Sequence, residues 1–139
     1  MSYIILKKSE IISYTIEDNE ATSLSLCAAA HFLRGIVRYD ADDFIAWARN
    51  PQESFVQVYD MCYEMDGKVV KLSYEWSETE NEEYSIPVQS FISLLEQWKT
   101  VYAQQPPKIL ITQDGDDYRV YAIHNDAEIT RILSANSAS

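Results

Sequence analysis

Between Pro87 and the Pro106-Pro107 pair, Phe91, Leu94, Leu95, Trp98, Val101 and Tyr102 recur at spacings of three, four, seven, ten and eleven residues. This is the stripe of an amphipathic helix, opened by a proline suited to the first helical position and closed by two prolines that cannot continue it. A stripe of that width has to be covered, so the rest of the chain is read for the surface that covers it.

Strands supply that surface. Phe55, Val56, Val58, Tyr59, Met61, Cys62 and Tyr63 run up to Asp66-Gly67, and Val69, Val70, Leu72, Tyr74 and Trp76 follow. An Asp-Gly pair between β-prone runs predicts a hairpin of type I′, whose central residues both need positive φ. On the second strand Val70, Leu72, Tyr74 and Trp76 share one face, whereas Lys71, Ser73 and Glu75 share the other, so one side packs on a core and the other meets water. Residues 108–112 and 118–124 flank Asp114-Gly115-Asp116-Asp117 and predict a second hairpin. Near the start, Ile4, Ile5 and Leu6, then Ile12, Tyr14 and Ile16 on alternate positions, predict a strand or hairpin.

Shorter helices complete the pattern. Leu24, Cys27, Ala28 and His31 share a face, with Thr22 or Ser23 as cap and Gly35 as stop. Asp40 before Phe44, Ile45 and Trp47, with Asn50-Pro51 after them, predicts a helix over 41–49, and Asp126 is placed to cap a last turn through Ile129 and Ile132. Residues 77–85 have no apolar period and read as a solvated loop. The fold class is α+β, a mixed α/β arrangement in which a single-domain mixed sheet with β-hairpins packs against the amphipathic helix. The globular domain is expected over 1–133, with a frayed tail over 134–139. At 139 residues and 47% hydrophobic, the chain can fill one core.

Charge narrows the function. Eleven basic against 22 acidic side chains leave a formal charge of −11, which disfavours direct nucleic-acid binding or an anionic membrane as the main task and favours a neutral or basic protein partner. Aromatic residues make 12%, so the acidity belongs to a folded chain. Cys27 and Cys62 are the two cysteines, the first ten residues lack the order of a secretory signal, and no apolar run reaches about 18 residues. A cytoplasmic protein with free thiols is expected.

A topological step gives a surface. If residues 69–76 and 108–113 lie in one sheet with helix 87–104 as crossover, the two strands are parallel and loop 77–85 neighbours turn 114–117. Glu75, Glu78, Glu80, Glu82, Glu83, Asp114, Asp116 and Asp117 then form an acidic rim beside Trp76 and Tyr84. Like charges repel across the rim, and a cationic partner relieves that repulsion and is steered toward it. Against this stands a plainer reading, in which acidic loops aid solubility with no partner and alternation places Trp76 in the core.

Catalytic and metal patterns are weak. Cys27 and His31 sit at i and i+4 and, with Cys62 and His124, make a Cys2His2 zinc site arithmetically conceivable, but no close CxxC or HxxxH pair exists and core packing explains buried cysteine better. There is no GxSxG elbow, no calcium-loop spacing around Asp114, and no GxGxxG or GxxxxGK in a chain with three glycines. No catalytic residue, cofactor or metal is assigned, and a non-enzyme is expected.

The stretch Tyr84-Ser-Ile-Pro-Val-Gln-Ser-Phe-Ile-Ser-Leu-Leu-Glu-Gln-Trp-Lys, followed by Lys-Ile-Leu-Ile-Thr at 108–112, is similar in style to segments of the immunity proteins of bacterial polymorphic-toxin and contact-dependent growth-inhibition systems. Those families share no universal residue signature, so no residue roles are carried over. The resemblance implies tight binding to a cognate toxin, often a nuclease, at its active site or an adjacent surface. Charge agrees, because nucleases present cationic surfaces to phosphates. In this reading the acidic rim supplies complementary charge, with Trp76 or Tyr84 as anchor. Two alternatives are a regulatory or adaptor domain that binds a protein or peptide at a sheet edge, and a small hydrolase with an unrecognised Ser, His and Asp set.

Overall fold

A computed structural model describes residues 2–9, 14–21, 24–35, 38–50, 55–58, 61–74 and 83–137. In chain order they form β1 (Ser2–Lys8), β2 (Tyr14–Glu20), α1 (Leu24–Gly35), α2 (Arg38–Arg49), β3 (Phe55–Val58), β4 (Met61–Asp66), β5 (Val69–Tyr74), β6 (Glu83–Pro87), α3 (Val88–Gln104), β7 (Lys108–Asp114), β8 (Asp117–Ile123) and α4 (Asp126–Ser137). The class is α+β, as the periodicities predict. Among the described residues no helix is long and apolar enough to cross a membrane.

The strands divide into two four-stranded antiparallel sheets, ordered β2-β1-β7-β8 and β3-β4-β5-β6. This overturns the crossover expected between residues 69–76 and 108–113. β5 and β7 lie in different sheets, and α3 carries the chain from one sheet to the other. Two further differences explain why. The apolar run from Phe55 is two strands, with Val58 opposite Met61, and residues 83–85 of the expected loop belong to β6, with Lys71 opposite Ser85 and Val70 opposite Ile86. The second sheet is thus completed within the chain before α3 begins.

Both hairpin turns rest on glycine. Asp66 pairs with Val69 and Asp114 with Asp117, so the two-residue loops are Gly67-Lys68 and Gly115-Asp116. Gly67 has φ +63° and Gly115 φ +61°, whereas neither Lys68 nor Asp116 has positive φ. A single positive φ, at the first central residue, is the demand of a type II′ loop rather than the expected I′. Aspartate stands outside the loop and glycine opens it.

The stripe of α3 is buried as its spacing predicts: Phe91, Ile92, Leu94, Leu95, Trp98, Val101 and Tyr102 all face inward. They share one core with Ile4, Leu6, Ile109, Ile111 and Val120 of the first sheet and with Val70, Leu72 and Ile86 of the second. Burial of each such leucine or isoleucine contributes about 1.5–3 kcal/mol. Phe32 of α1 stacks on Phe91 at 5.6 Å and meets Phe44 of α2 edge-on at 5.1 Å, which ties three helices together. In α1, Ala28, Ala29 and Ala30 are all fully buried. Successive helical residues point about 100° apart, so this helix is enclosed on more than one side. The first sheet is buried on its second face too, where Ile5, Leu110 and Ile123 meet Ile129, Ile132 and Leu133 of α4. That helix is capped by Asn125, whose Oδ1 accepts from the Glu128 N–H at 3.2 Å, rather than by Asp126, and it continues to Ser137, into the segment expected to fray.

Two polar contacts secure this packing. The Tyr14 hydroxyl donates to the Pro106 carbonyl at 2.6 Å, and its ring lies edge-on to Trp98, which stacks on Tyr102. The Gln97 side chain lies along β8, an edge strand: its Oε1 accepts from the Val120 N–H at 3.0 Å and its Nε2 donates to the Tyr118 carbonyl at 2.8 Å. One amide thereby takes the place of a neighbouring strand on that edge.

Replacing Gln97 by Ala leaves a part-buried N–H and C=O unpaired and should cost about 1–3 kcal/mol in urea unfolding. Ser93→Ala, which removes only the 3.1 Å Gln97–Ser93 bond, should stay within about 0.5 kcal/mol of the parent. Burial, and next the Tyr102 phenol, push the Tyr14 phenol from 10.0 up to about 12. The unfolded chain therefore releases this proton first. The contribution is fully present below pH 10 and is lost as pH rises toward 12. Unfolding free energies measured across that window should fall more steeply for the parent than for Tyr14→Phe.

Candidate functional site

Of the residues expected to form the rim, Glu75, Trp76, Glu78, Glu80 and Glu82 lie outside the described residues. Glu83 and Tyr84 lie in β6, opposite Ser73 and Leu72. Asp114, Asp116 and Asp117 are exposed at the β7–β8 turn. The topology that was to bring the two acidic segments together does not exist. β6 runs from Glu83 to Pro87, where α3 begins, and Ser90 in the first turn of α3 donates to the Asp116 carbonyl at 2.6 Å. Glu83 is therefore a strand length, roughly 13 Å, from the end of β6 that leads to the turn.

Different carboxylates join the turn instead. Strand β1 lies between β2 and β7, with Tyr3 opposite both Glu20 and Thr112, Ile5 opposite Asp18, and Ser2 opposite Gln113. Glu20 consequently occupies the same end of the first sheet as Asp114, Asp116 and Asp117, whereas Asp18 lies further in, level with Ile5 and Leu110. β2 and β7 are two strand spacings apart, about 10 Å, and Glu20 is two residues short of Asp114 along the strands, so these two carboxylates stand roughly 12 Å apart, just beyond the screening length at physiological salt. The opposite end of the sheet carries Lys7, Lys8 and Lys108, where Lys108 bridges Glu17 at 2.9 Å and Asp126 at 3.1 Å.

The acidic end is held in a fixed shape. Gln113 Nε2 donates to the Gly115 carbonyl at 3.0 Å and to the Tyr118 hydroxyl at 3.1 Å, and Ser90 holds the other side of the turn. Asp117 pairs with Arg119 at 3.1 Å on an open surface, which adds little stability. Tyr3 is half-buried between β2 and β7 on the face that also carries Asp18 and Glu20. Burial, followed by the charges of Asp18 and Glu20, holds its phenol above the ordinary value, so it stays a neutral aromatic donor at every physiological pH. A phenol flanked by carboxylates suits a cationic side chain, which gains both charge and ring contact.

The thiols and imidazoles do not converge. Cys27 is half-buried, with its Sγ 3.7 Å from the Asn19 amide nitrogen. His31 has Arg34 Nη1 3.4 Å from its Nδ1, and partial desolvation of the ring, followed by the charge of that guanidinium, lowers its pKa. His124 is exposed beyond β8, and the side chain of Cys62 lies outside the described set. Among the described residues no group of three or more His, Cys, Asp and Glu side chains could hold a metal ion. A groove of about 580 Å³ opens between the end of α2 and the start of α3, lined by Ala48, Arg49, Met65, Gly67, Lys68, Pro87, Val88 and Gln89. Its ionisable lining is cationic, and Arg49 pairs with Glu96. Among the described residues no carboxylate, imidazole or thiol lines it.

No family model, curated protein sequence or solved structure matches the chain, so the site is read from its own geometry. Sequence reasoning passed over Tyr3, Asp18 and Glu20. A usable signal was present in the run Glu17-Asp18-Asn19-Glu20 directly after the alternating Tyr14 and Ile16, which marks a strand that becomes acidic along its length.

In the double variant Asp18→Asn, Glu20→Gln the Tyr3 phenol should titrate closer to its ordinary value while remaining above it, because burial is the larger cause. Ring-carbon NMR of Tyr3 across alkaline pH measures this.

Proposed function

We propose that this chain is an immunity protein that binds and neutralises a cognate toxin in the cytoplasm, docking a basic domain of nuclease type on the acidic end of the first sheet. The observation that supports this reading is the placement of Glu20, Asp114, Asp116 and Asp117 at one end of the first sheet on a pinned framework, with Asp18 and Glu20 flanking half-buried Tyr3, in a chain of net charge −11. Such a surface competes with phosphates for the cations of a nuclease. It needs little rearrangement to do so, because the turn is already held by Gln113 and Ser90. The protein acts by occupancy, with no cofactor and no bond-making of its own.

The test is binding to the C-terminal domain encoded by the gene immediately upstream. The domain should co-purify with this chain, and its toxicity should be suppressed by co-expression. Replacing Asp18, Asp114 and Asp116 by Asn together with Glu20 by Gln should slow association about tenfold or more at low salt and flatten its salt dependence. Urea unfolding should show the fold intact. Unchanged association kinetics in this variant, measured at two ionic strengths, would remove the acidic end from the mechanism.

A further inference from the structure

The two edges of the first sheet are treated differently, and the difference points to how a partner is held. On β8, Gln97 takes the outward N–H of Val120 and the outward carbonyl of Tyr118, so no further strand can pair there without displacing α3. On β2, Arg34 Nε donates to the Tyr14 carbonyl at 3.1 Å where the strand begins, and Asn19 Oδ1 accepts from the Ala21 N–H where it ends. Between these points, no described residue beyond β1 hydrogen-bonds to the main chain of residues 15–20. β2 is the last strand of its sheet, and among the described residues none pairs with its outer side.

We propose that β2 is the docking edge for an extended cationic segment of the partner, which adds to the first sheet as a fifth strand. Main-chain pairing with residues 15–20 would give affinity, and the side chains of β2 would select the occupant. Asp18 and Glu20 share one face with Tyr3, whereas Ile16, half-buried, lies on the opposite face with the core. A strand whose Lys or Arg residues alternate with apolar ones places cations against Asp18 and Glu20 and apolar side chains near Ile16. Carboxylates on an open edge deter acidic strands. For a cationic strand the same carboxylates attract. This inference rests on the proposed function for its basic partner and adds the manner of docking.

The probe is an alternating lysine–valine octapeptide with blocked ends, titrated into the full chain at low salt and followed by amide hydrogen exchange and 15N NMR. Exchange should slow about tenfold or more at those amides of residues 15–20 that point away from β1, with shifts centred on β2. The same peptide N-methylated at alternate residues keeps its charge but loses its donors, and should bind about tenfold more weakly. A glutamate–valine peptide should not bind. Equal affinity for the methylated and unmethylated peptides, or protection centred on another element, overturns edge docking. That result leaves the acidic surface intact, which is judged separately by the upstream domain and the charge variant.

Discussion

Burial of one face of α3 is the contact on which the two sheets depend. Each sheet alone would leave an apolar face in water, and each finds cover on the same helix and the α1–α2 pair packed beside it. Trp98 sits at the centre of this arrangement, 1% exposed, with Tyr14 from β2 on its edge and Tyr102 on its face. The Tyr14–Pro106 bond then joins β2 to the segment that leaves α3. The position of β2, and so of its acidic half, is set by the same packing that holds the helix.

That dependence explains how a chain of this charge can keep carboxylates close together. Mutual repulsion at the acidic end is partly screened by water and is opposed by backbone pairing across β2, β1 and β7, none of which involves the carboxylates. Asp18 and Glu20 project from a strand tied to the core through Tyr14. Asp114, Asp116 and Asp117 project from a turn tied to α3 through Ser90. A site assembled on such supports keeps its shape before any partner arrives, so a partner meets little ordering cost on this side.

Local periodicity carried much of the fold. The stripe of α3, the turns at Gly67 and Gly115 and the hairpin of β1 with β2 were legible because each depends on neighbours a few residues apart. The division into two sheets was not legible, because it rests on β6, a strand written in the polar residues Glu83-Tyr84-Ser85 and ended by a proline. Reading that segment as loop left β5 without its partner and invited a crossover to β7. The acidic end of the first sheet was hidden for a related reason: β1 pairs with β7 more than a hundred positions away, and only that pairing brings Glu20 toward Asp114. The type II′ loops and the Asn125 cap were misplaced by one position, since aspartate beside glycine and aspartate beside asparagine look alike until the hydrogen bonds are known.

The first sheet has unlike ends. Lys7 and Lys8 stand at the end where β1 finishes, and Glu20 and the aspartates of the β7–β8 turn stand where it starts. Charge separated along a rigid axis is a permanent dipole. A cationic body approaching the first sheet therefore meets a lower energy at the start of β1 than at its finish.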